Sequence, residues 1–160
     1  MKNLTLLLIC VFSLTVLVGF STTPSTVKQL NFTLKDLSGR NVSLDSFKGR
    51  VVLLVFFTTW CPSCQDEIPQ IEAINQKYNS REFTVLGVNR RESHNDVSMF
   101  ASANKLTFTI LLDENAVVTK KFQVRIIPRI FILDKSGKIV FTSQYLPMEQ
   151  IEKELLKVLQ

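Results

Sequence analysis

The chain has 160 residues, of which 46% are hydrophobic and 21% charged, with five glycines and five prolines. This composition is typical of one globular domain and excludes a disordered chain or a repeat array. The 19 basic and 14 acidic residues give a formal net charge of +5, but the basic residues are scattered as singles and short pairs. We therefore expect no nucleic acid among its partners.

The first residues of the chain are typical of an export signal. Lys2 precedes an apolar, uncharged run over residues 4–20, and Gly19 and Ser21 are small enough to flank a cleavage site. The run is also close to the shortest length that spans a membrane, so a cleaved signal peptide and an uncleaved anchor are both open. Either one predicts an exported protein, in the periplasm or at the extracytoplasmic face of the membrane.

We assign residues 1–26 to this segment and a short linker, and residues 27–160 to a single domain. The domain contains two cysteines, Cys61 and Cys64. A disulfide between residues so close in sequence is a poor structural crosslink, because its stabilisation grows with the length of the loop that it closes. The pair is better explained by chemistry at the sulfur atoms.

Apolar patterning along the domain predicts strands and helices in turn. A hairpin is predicted over 31–44, then a helical turn and a strand covered on both faces at Val51–Phe57. Helical spacing of apolar residues predicts the next helix at Pro62–Tyr78. Further strands are predicted at 82–88, 108–112, 129–133 and 139–143, and further helices at 94–104, 114–122 and 148–159. This alternation implies an α/β domain with a central mixed sheet flanked by helices.

The sequence Trp-Cys-Pro-Ser-Cys at 60–64 follows a buried strand and opens a helix, and this placement resembles the thioredoxin fold. Pro69 stands where helices of that fold have a kinking proline, and residues 126–140 are similar to the segment with the cis-proline and the final hairpin. The leading hairpin and the long segment after Gly87 resemble the exported TlpA/ResA/CcmG branch. The resemblance covers residues 30–159 and implies a thioredoxin fold with an N-terminal β-hairpin and an extra strand-helix insertion.

The spacing of the two cysteines fits thiol-disulfide exchange. The nucleophile in this reaction is a thiolate, and the unpaired N–H groups and dipole of a helix N-terminus stabilise a negative sulfur at Cys61. We expect Cys61 to attack a disulfide, and Cys64, one helical turn later, to resolve the mixed disulfide. Pro62 fits the first helical turn because its missing N–H has no helical partner there. No cofactor is expected beyond this redox-active pair.

The resemblance implies further site residues. Pro128, in the cis form, would place the backbone of Ile127 opposite Cys61, where an extended substrate segment could pair with it. Trp60 and Ile127 would then form an apolar rim around the sulfur. Glu92 matches an acid that ResA-like proteins have beside the dithiol. Core packing for Trp60 and a solvated loop carboxylate for Glu92 are open alternatives.

The chain departs from the family pattern around the predicted site. Val55 occupies the position where thioredoxins have an acidic residue before the first cysteine, which argues against a proton relay through that position. Arg129 follows the predicted cis-proline, where threonine is usual in this branch. Arg125 and Arg129 flank the site in sequence, either as solvated charges or as groups that favour the thiolate or select acidic partners.

We therefore predict an exported thiol-disulfide oxidoreductase that reduces disulfides in partner proteins. The resemblance implies a reductant, with apocytochrome c as a candidate substrate and cytochrome c maturation as a candidate pathway. In an oxidising compartment such a reductant needs recharging, here by a thiol electron donor in the membrane. The domain is expected to be a monomer.

Two alternative functions are open. A peroxiredoxin-like peroxidase would use Cys61, because Thr58 gives the T-x-x-C pattern of a peroxidatic site, although the proline that normally precedes that threonine is absent. A copper chaperone would bind metal through Cys61, Cys64 and His94, the one histidine of the chain. The two-residue spacer between the cysteines favours dithiol exchange over both.

Overall fold

The computed structural model describes residues 30–78, 80, 82–144 and 147–160. The apolar run at 4–20 and the predicted domain boundary at residue 27 lie outside these described residues. In the part of the chain that is described, no helix combines the length and the apolar character needed to cross a bilayer.

The described residues form seven strands in one sheet, with helices packed on it. The strands are β1 (Thr33–Asp36), β2 (Asn41–Ser43), β3 (Val51–Phe57), β4 (Phe83–Arg90), β5 (Thr109–Asp113), β6 (Arg129–Leu133) and β7 (Ile139–Ser143). The helices are α1 (Pro62–Tyr78), α2 (His94–Ala103), α3 (Val117–Lys121) and α4 (Met148–Leu159), and a 3-10 helix (Leu44–Phe47) follows β2.

The strand order is β2-β1-β5-β4-β3-β6-β7. The pairs β3–β4 and β4–β5 are parallel, and the other neighbouring pairs are antiparallel. The predicted mixed sheet is therefore confirmed. The N-terminal hairpin extends the sheet through the pairing of β1 with β5, and the inserted unit consists of α2 followed by β5. Both additions match the predicted architecture.

The central strand β3 is buried along its whole length. Its alternate residues enter two hydrophobic clusters, because successive side chains of a strand point to opposite faces. One cluster includes Val55 and Phe57 from β3, both cysteines, and buried residues of α1, α2 and α4. The other includes Phe56, Val118 of α3 and Phe122 directly after that helix. The cysteines and Val55 therefore belong to the same apolar layer.

Helix α3 is shorter than the predicted helix at 114–122. It begins at Val117, because the carboxylate of Asp113 accepts hydrogen bonds from the backbone N–H groups of Val118 and Thr119 at 3.2 and 2.7 Å. A side chain from the end of β5 thus caps the start of the helix. The residues between that strand and the helix form a turn, which helical periodicity cannot distinguish from a first helical turn.

Gly87 of β4 is required by close packing of two aromatic rings. A Cβ atom at this position would lie 2.7 Å from Cε2 of Phe108 and 3.1 Å from Cε1 of Phe57. Both rings are buried, so neither can move into solvent. Replacing Gly87 with alanine should therefore lower the free energy of unfolding by about 1–2 kcal/mol, as overpacking of a core does.

Urea unfolding of Gly87→Ala measures this loss, and Phe108→Leu provides the matched background. Leucine removes the ring edge that the new Cβ would meet, so the alanine should cost less in the Phe108→Leu protein than in the natural one. Equal costs in the two backgrounds would contradict this explanation.

Candidate active site

Cys61 lies at the junction between β3 and α1. The strand ends at Phe57 and the helix begins at Pro62, so Cys61 is the residue directly before the helix. Its carbonyl oxygen accepts a hydrogen bond from the backbone N–H of Gln65 at 3.0 Å. This is the N-cap position, where unpaired N–H groups of the first turn favour negative charge. Pro62 occupies the first helical position, as predicted.

The two thiols have different environments. Both are free, but Cys61 keeps 8% of its surface exposed and Cys64 has none. Burial raises the pKa of the Cys64 thiol far above its ordinary value, and a hydrogen bond with Cys61 and the negative charge of Glu67 raise it further. The Thr58 backbone N–H acts in the opposite direction, because it donates a hydrogen bond to the Cys64 sulfur. Cys64 is therefore held protonated beneath the more accessible sulfur.

The segment before β6 lies opposite Cys61. The Ile127–Pro128 peptide bond is cis, as the resemblance implied, and the Cys61 thiol donates to the Ile127 carbonyl oxygen at a sulfur–oxygen distance of 3.9 Å. Among the described residues, the backbones of 125–127 make no hydrogen bond with another backbone group. Apart from the Ile127 carbonyl oxygen, which the Cys61 thiol contacts, their polar groups are thus available to an extended partner segment.

The apolar rim around Cys61 differs in one residue from the prediction. Trp60 is 68% exposed, which excludes the alternative in which it packs in the core. Ile127 is only partly exposed, because it packs against both hydrophobic clusters. Its neighbour Ile126, which the sequence reasoning did not single out, is 49% exposed. The exposed apolar side chains that adjoin Cys61 and the cis bond in sequence are therefore Trp60 and Ile126, whereas Ile127 is half-buried.

Glu92 supports the loop that carries Cys61. Its carboxylate accepts hydrogen bonds from the Thr59 backbone N–H at 2.8 Å, from the Thr59 hydroxyl, and from the Asn89 side-chain amide at 2.6 Å. The solvated-loop alternative for Glu92 is therefore wrong. These contacts join the loop between β3 and α1 to the end of β4, so Glu92 fixes the position of the loop rather than bonding to a sulfur.

Glu67 is a candidate site residue that the sequence reasoning missed. It lies on α1 one turn after Cys64, and its Oε2 atom is buried without a hydrogen-bond partner in the described structure. Burial raises the pKa of the Glu67 carboxyl, and the neighbouring charge of Asp66 raises it further. Val55 fills the strand position where thioredoxins have an acid. The three-residue spacing from Cys64, which places side chains on one helical face, could have identified Glu67.

His94 does not join the cysteines. Its Nε2 atom is 2.8 Å from the Leu37 carbonyl oxygen, and its Nδ1 atom is 3.4 Å from the Ser98 hydroxyl. No three His, Cys, Asp or Glu side chains within the described ranges are grouped as metal ligands. The prediction of His94 as a third copper ligand is therefore wrong, because α2 directs this ring towards the N-terminal hairpin.

Thr58, on which the peroxidase alternative depends, is buried between β3 and the site loop. Its backbone N–H bonds to the Cys64 sulfur. Its hydroxyl has no hydrogen-bond partner in the described part of the chain, so no bond joins it to Cys61. This geometry gives no support to a peroxidatic role for the T-x-x-C pattern.

A mixed sheet of this order, whose central parallel strand leads into a Cys-x-x-Cys helix, is the thioredoxin fold. The pairing of an accessible sulfur with a buried, protonated one fits the class of thiol-disulfide oxidoreductases.

Comparisons with known proteins agree with this class. The chain matches the model of the AhpC/TSA family over residues 27–142. It is 30% identical over 125 residues to thiol-disulfide oxidoreductase ResA of Bacillus thuringiensis subsp. konkukian, covering 78% of this chain and 70% of ResA. It is 35% identical over 111 residues to sporulation thiol-disulfide oxidoreductase A of Bacillus subtilis, covering 68% of this chain and 67% of that protein.

A solved structure shows the same fold. A protein from Chlorobium tepidum, described as a candidate thiol:disulfide interchange protein DsbE, superposes with a TM-score of 0.77 at 26% identity, over 82% of this chain and 95% of that chain. The chain belongs to the AhpC/TSA family and, within it, to the thioredoxin-like thiol-disulfide oxidoreductases related to ResA.

Proposed function

We propose that the protein is an exported reductant that transfers electrons from the Cys61–Cys64 dithiol to disulfides in partner proteins. The observation that carries this proposal is the contrast between the two sulfurs. The Cys61 sulfur is accessible at a helix N-terminus, and the Cys64 sulfur is fully buried one turn later. The first can attack a partner, and the second is shielded from solvent until a mixed disulfide has formed.

The proposed reaction has two exchange steps. The Cys61 thiolate attacks one sulfur of the partner disulfide, and the partner's other sulfur leaves as a thiolate and takes up a proton. Cys64 then loses its proton and attacks the Cys61 sulfur, which releases the partner's second thiolate. The partner gains two electrons and two protons, and Cys61 and Cys64 become a disulfide. The pair is itself the redox group, so we propose no bound cofactor or metal.

The resemblance to the exported TlpA/ResA/CcmG branch supports transfer in the reducing direction. A strongly oxidising dithiol owes its potential to stabilisation of its reduced form. Burial disfavours ionisation of the Cys64 thiol, so this sulfur adds no such stabilisation.

We expect a midpoint potential near the value of about −270 mV of thioredoxin rather than the value of about −120 mV of a strong periplasmic oxidant. Equilibration in dithiothreitol redox buffers measures it, with the fluorescence of Trp60 as the signal, since this is the only tryptophan of the chain and it adjoins Cys61. A midpoint near the oxidant value would reverse the proposed direction.

Export, the membrane electron donor and the substrate are further parts of the proposal. The apolar run at 4–20 supports export as a cleaved signal or an anchor, and residues 27–160 would then act outside the cytoplasm as one monomeric domain. The resemblance to the TlpA/ResA/CcmG branch supports apocytochrome c as a disulfide-containing substrate in cytochrome c maturation. It also supports a membrane thiol donor that re-reduces the pair.

A further inference from the structure

The loop between β3 and Cys61 is held by side chains rather than by backbone pairing. Within the described ranges, the backbones of 58–60 make no hydrogen bond with another backbone group. Thr58 is buried, but Thr59 is only half-buried and Trp60 is 68% exposed, so the second half of the loop is not anchored in the core. The position of Cys61 therefore depends on the polar contacts that this half makes.

The backbone of Thr59 is bound on both sides by side chains. Its N–H donates to the Glu92 carboxylate at 2.8 Å, and its carbonyl oxygen accepts a hydrogen bond from the side-chain amide of Gln65 at 2.8 Å. Glu92 comes from the segment after β4, whereas Gln65 belongs to α1. Two different elements thus fix the two peptide groups of Thr59.

Gln65 has a second contact with the same loop. Its backbone N–H donates to the Cys61 carbonyl oxygen at 3.0 Å. A single residue therefore holds the carbonyl oxygen before Trp60 and the one after it, those of Thr59 and Cys61. Gln65 is exposed, so its side chain acts on the loop through this hydrogen bond and not through packing in the core.

We infer that Gln65 is a positioning residue for the first exchange step. Its side-chain amide fixes the Thr59 carbonyl and so holds the Cys61 sulfur at the N-cap of α1. This inference rests on the proposed function and deepens it, because the N-cap position is what stabilises the attacking thiolate. Even a small displacement of a reacting atom slows a reaction. Resolution should depend less on Gln65, since Cys64 lies within the helix and is fully buried.

The variant Gln65→Met tests this role, because it removes the amide donor and keeps an unbranched side chain of similar length. Alkylation of Cys61 by iodoacetamide in the reduced protein is followed by mass spectrometry at a series of pH values. On the rising part of the pH profile we expect alkylation to be about fivefold slower than in the natural protein, the factor for one hydrogen bond of ordinary strength. The profile should therefore move to higher pH by about 0.7 unit, which is the same factor expressed in pH.

Gln70→Met is the matched control. The side-chain amide of Gln70 also donates to a backbone carbonyl oxygen on the exposed part of α1, that of Asp66, at 3.0 Å. This bond lies within the helix and does not reach the site loop, so its loss should leave the pH profile unchanged. Equal slowing by the two replacements would assign the effect to the helix itself and overturn the inference.

Gln65→Lys distinguishes positioning from a general loss of structure. The lysine ammonium group can donate to the Thr59 carbonyl oxygen, so the alkylation rate should return close to the natural one. The comparison is made in high salt, which screens the added charge. Circular dichroism and urea unfolding establish that the variants fold. A folded Gln65→Lys protein that is as slow as Gln65→Met would contradict the role of the donor.

Single-turnover reaction with hydroxyethyl disulfide separates the two exchange steps. Gln65→Met should form the mixed disulfide more slowly and resolve it at close to the natural rate. If the natural protein does not reduce this disulfide, the proposed function fails. If the natural protein reduces it and Gln65→Met forms the mixed disulfide at the natural rate, this inference alone is overturned.

Discussion

Replacing Cys61 with serine should abolish disulfide reduction, with a loss of about a thousandfold or more, the scale expected when a nucleophile is removed. Cys64 cannot replace it, because it has no exposed surface and burial raises the pKa of its thiol. Replacing Cys64 with serine should instead leave the first step intact and remove the second. The mixed disulfide between Cys61 and its partner should then accumulate.

Reduction of insulin disulfides measures the first effect, and non-reducing electrophoresis of protein captured from cells measures the second. Ser63→Ala is the matched control, since Ser63 lies between the cysteines and contributes no sulfur, so its reduction rate should be close to that of the natural protein. Substantial activity in Cys61→Ser, or a Cys64→Ser protein that captures no partner, would contradict the exchange mechanism. A captured apocytochrome c would establish the proposed substrate.

Replacing Glu67 with glutamine should slow the resolution of the mixed disulfide by about 100-fold, the lower end of the range for a positioned general base. The Cys64 thiol must lose its proton before it can attack, and burial opposes that loss. Glu67 is the acid whose charge acts on Cys64, and its buried Oε2 atom has no hydrogen-bond partner in the described structure. We therefore propose that Glu67 accepts the proton of Cys64.

The pH dependence of resolution distinguishes this role from a structural one. In the natural protein the rate should rise with pH through the raised pKa of Glu67, and in Glu67→Gln this step should be absent. Asp66→Asn is the control, because it removes the neighbouring charge that raises the pKa of Glu67 but keeps the carboxyl, so the step should move to lower pH. An unchanged pH profile in Glu67→Gln would contradict the proposal.

The raised pKa of Glu67 also predicts that the free energy of unfolding depends on pH. The folded-state pKa of Glu67 is raised above its ordinary value of 4.5, so the stabilisation from this carboxyl is fully present below that value and is lost as the pH rises through the folded-state pKa. At neutral pH the buried carboxylate is therefore a cost, and Glu67→Gln should unfold at a higher urea concentration than the natural protein. The difference should vanish in acid.

Local sequence patterns predicted much of the fold. The run Val51–Phe57 has the continuous apolar character of a strand that is covered on both faces, and it is the central strand β3. The predicted start of α3 was wrong, because periodicity does not reveal that Asp113 caps the helix from the preceding strand. The cis bond at Pro128 came from the resemblance, not from any pattern of apolar residues.

The sequence by itself determined the redox pair, because two cysteines one helical turn apart at a helix start are a local feature that no distant residue can create. Only the tertiary structure decided which side chains surround that pair. The register of β4 and β6 on β3 leaves Glu92 bonded to the site loop and brings the Ile127 carbonyl oxygen opposite Cys61. The packing of α1 against the sheet partly buries Glu67, one turn after Cys64, because burial depends on contacts between residues that are distant in sequence.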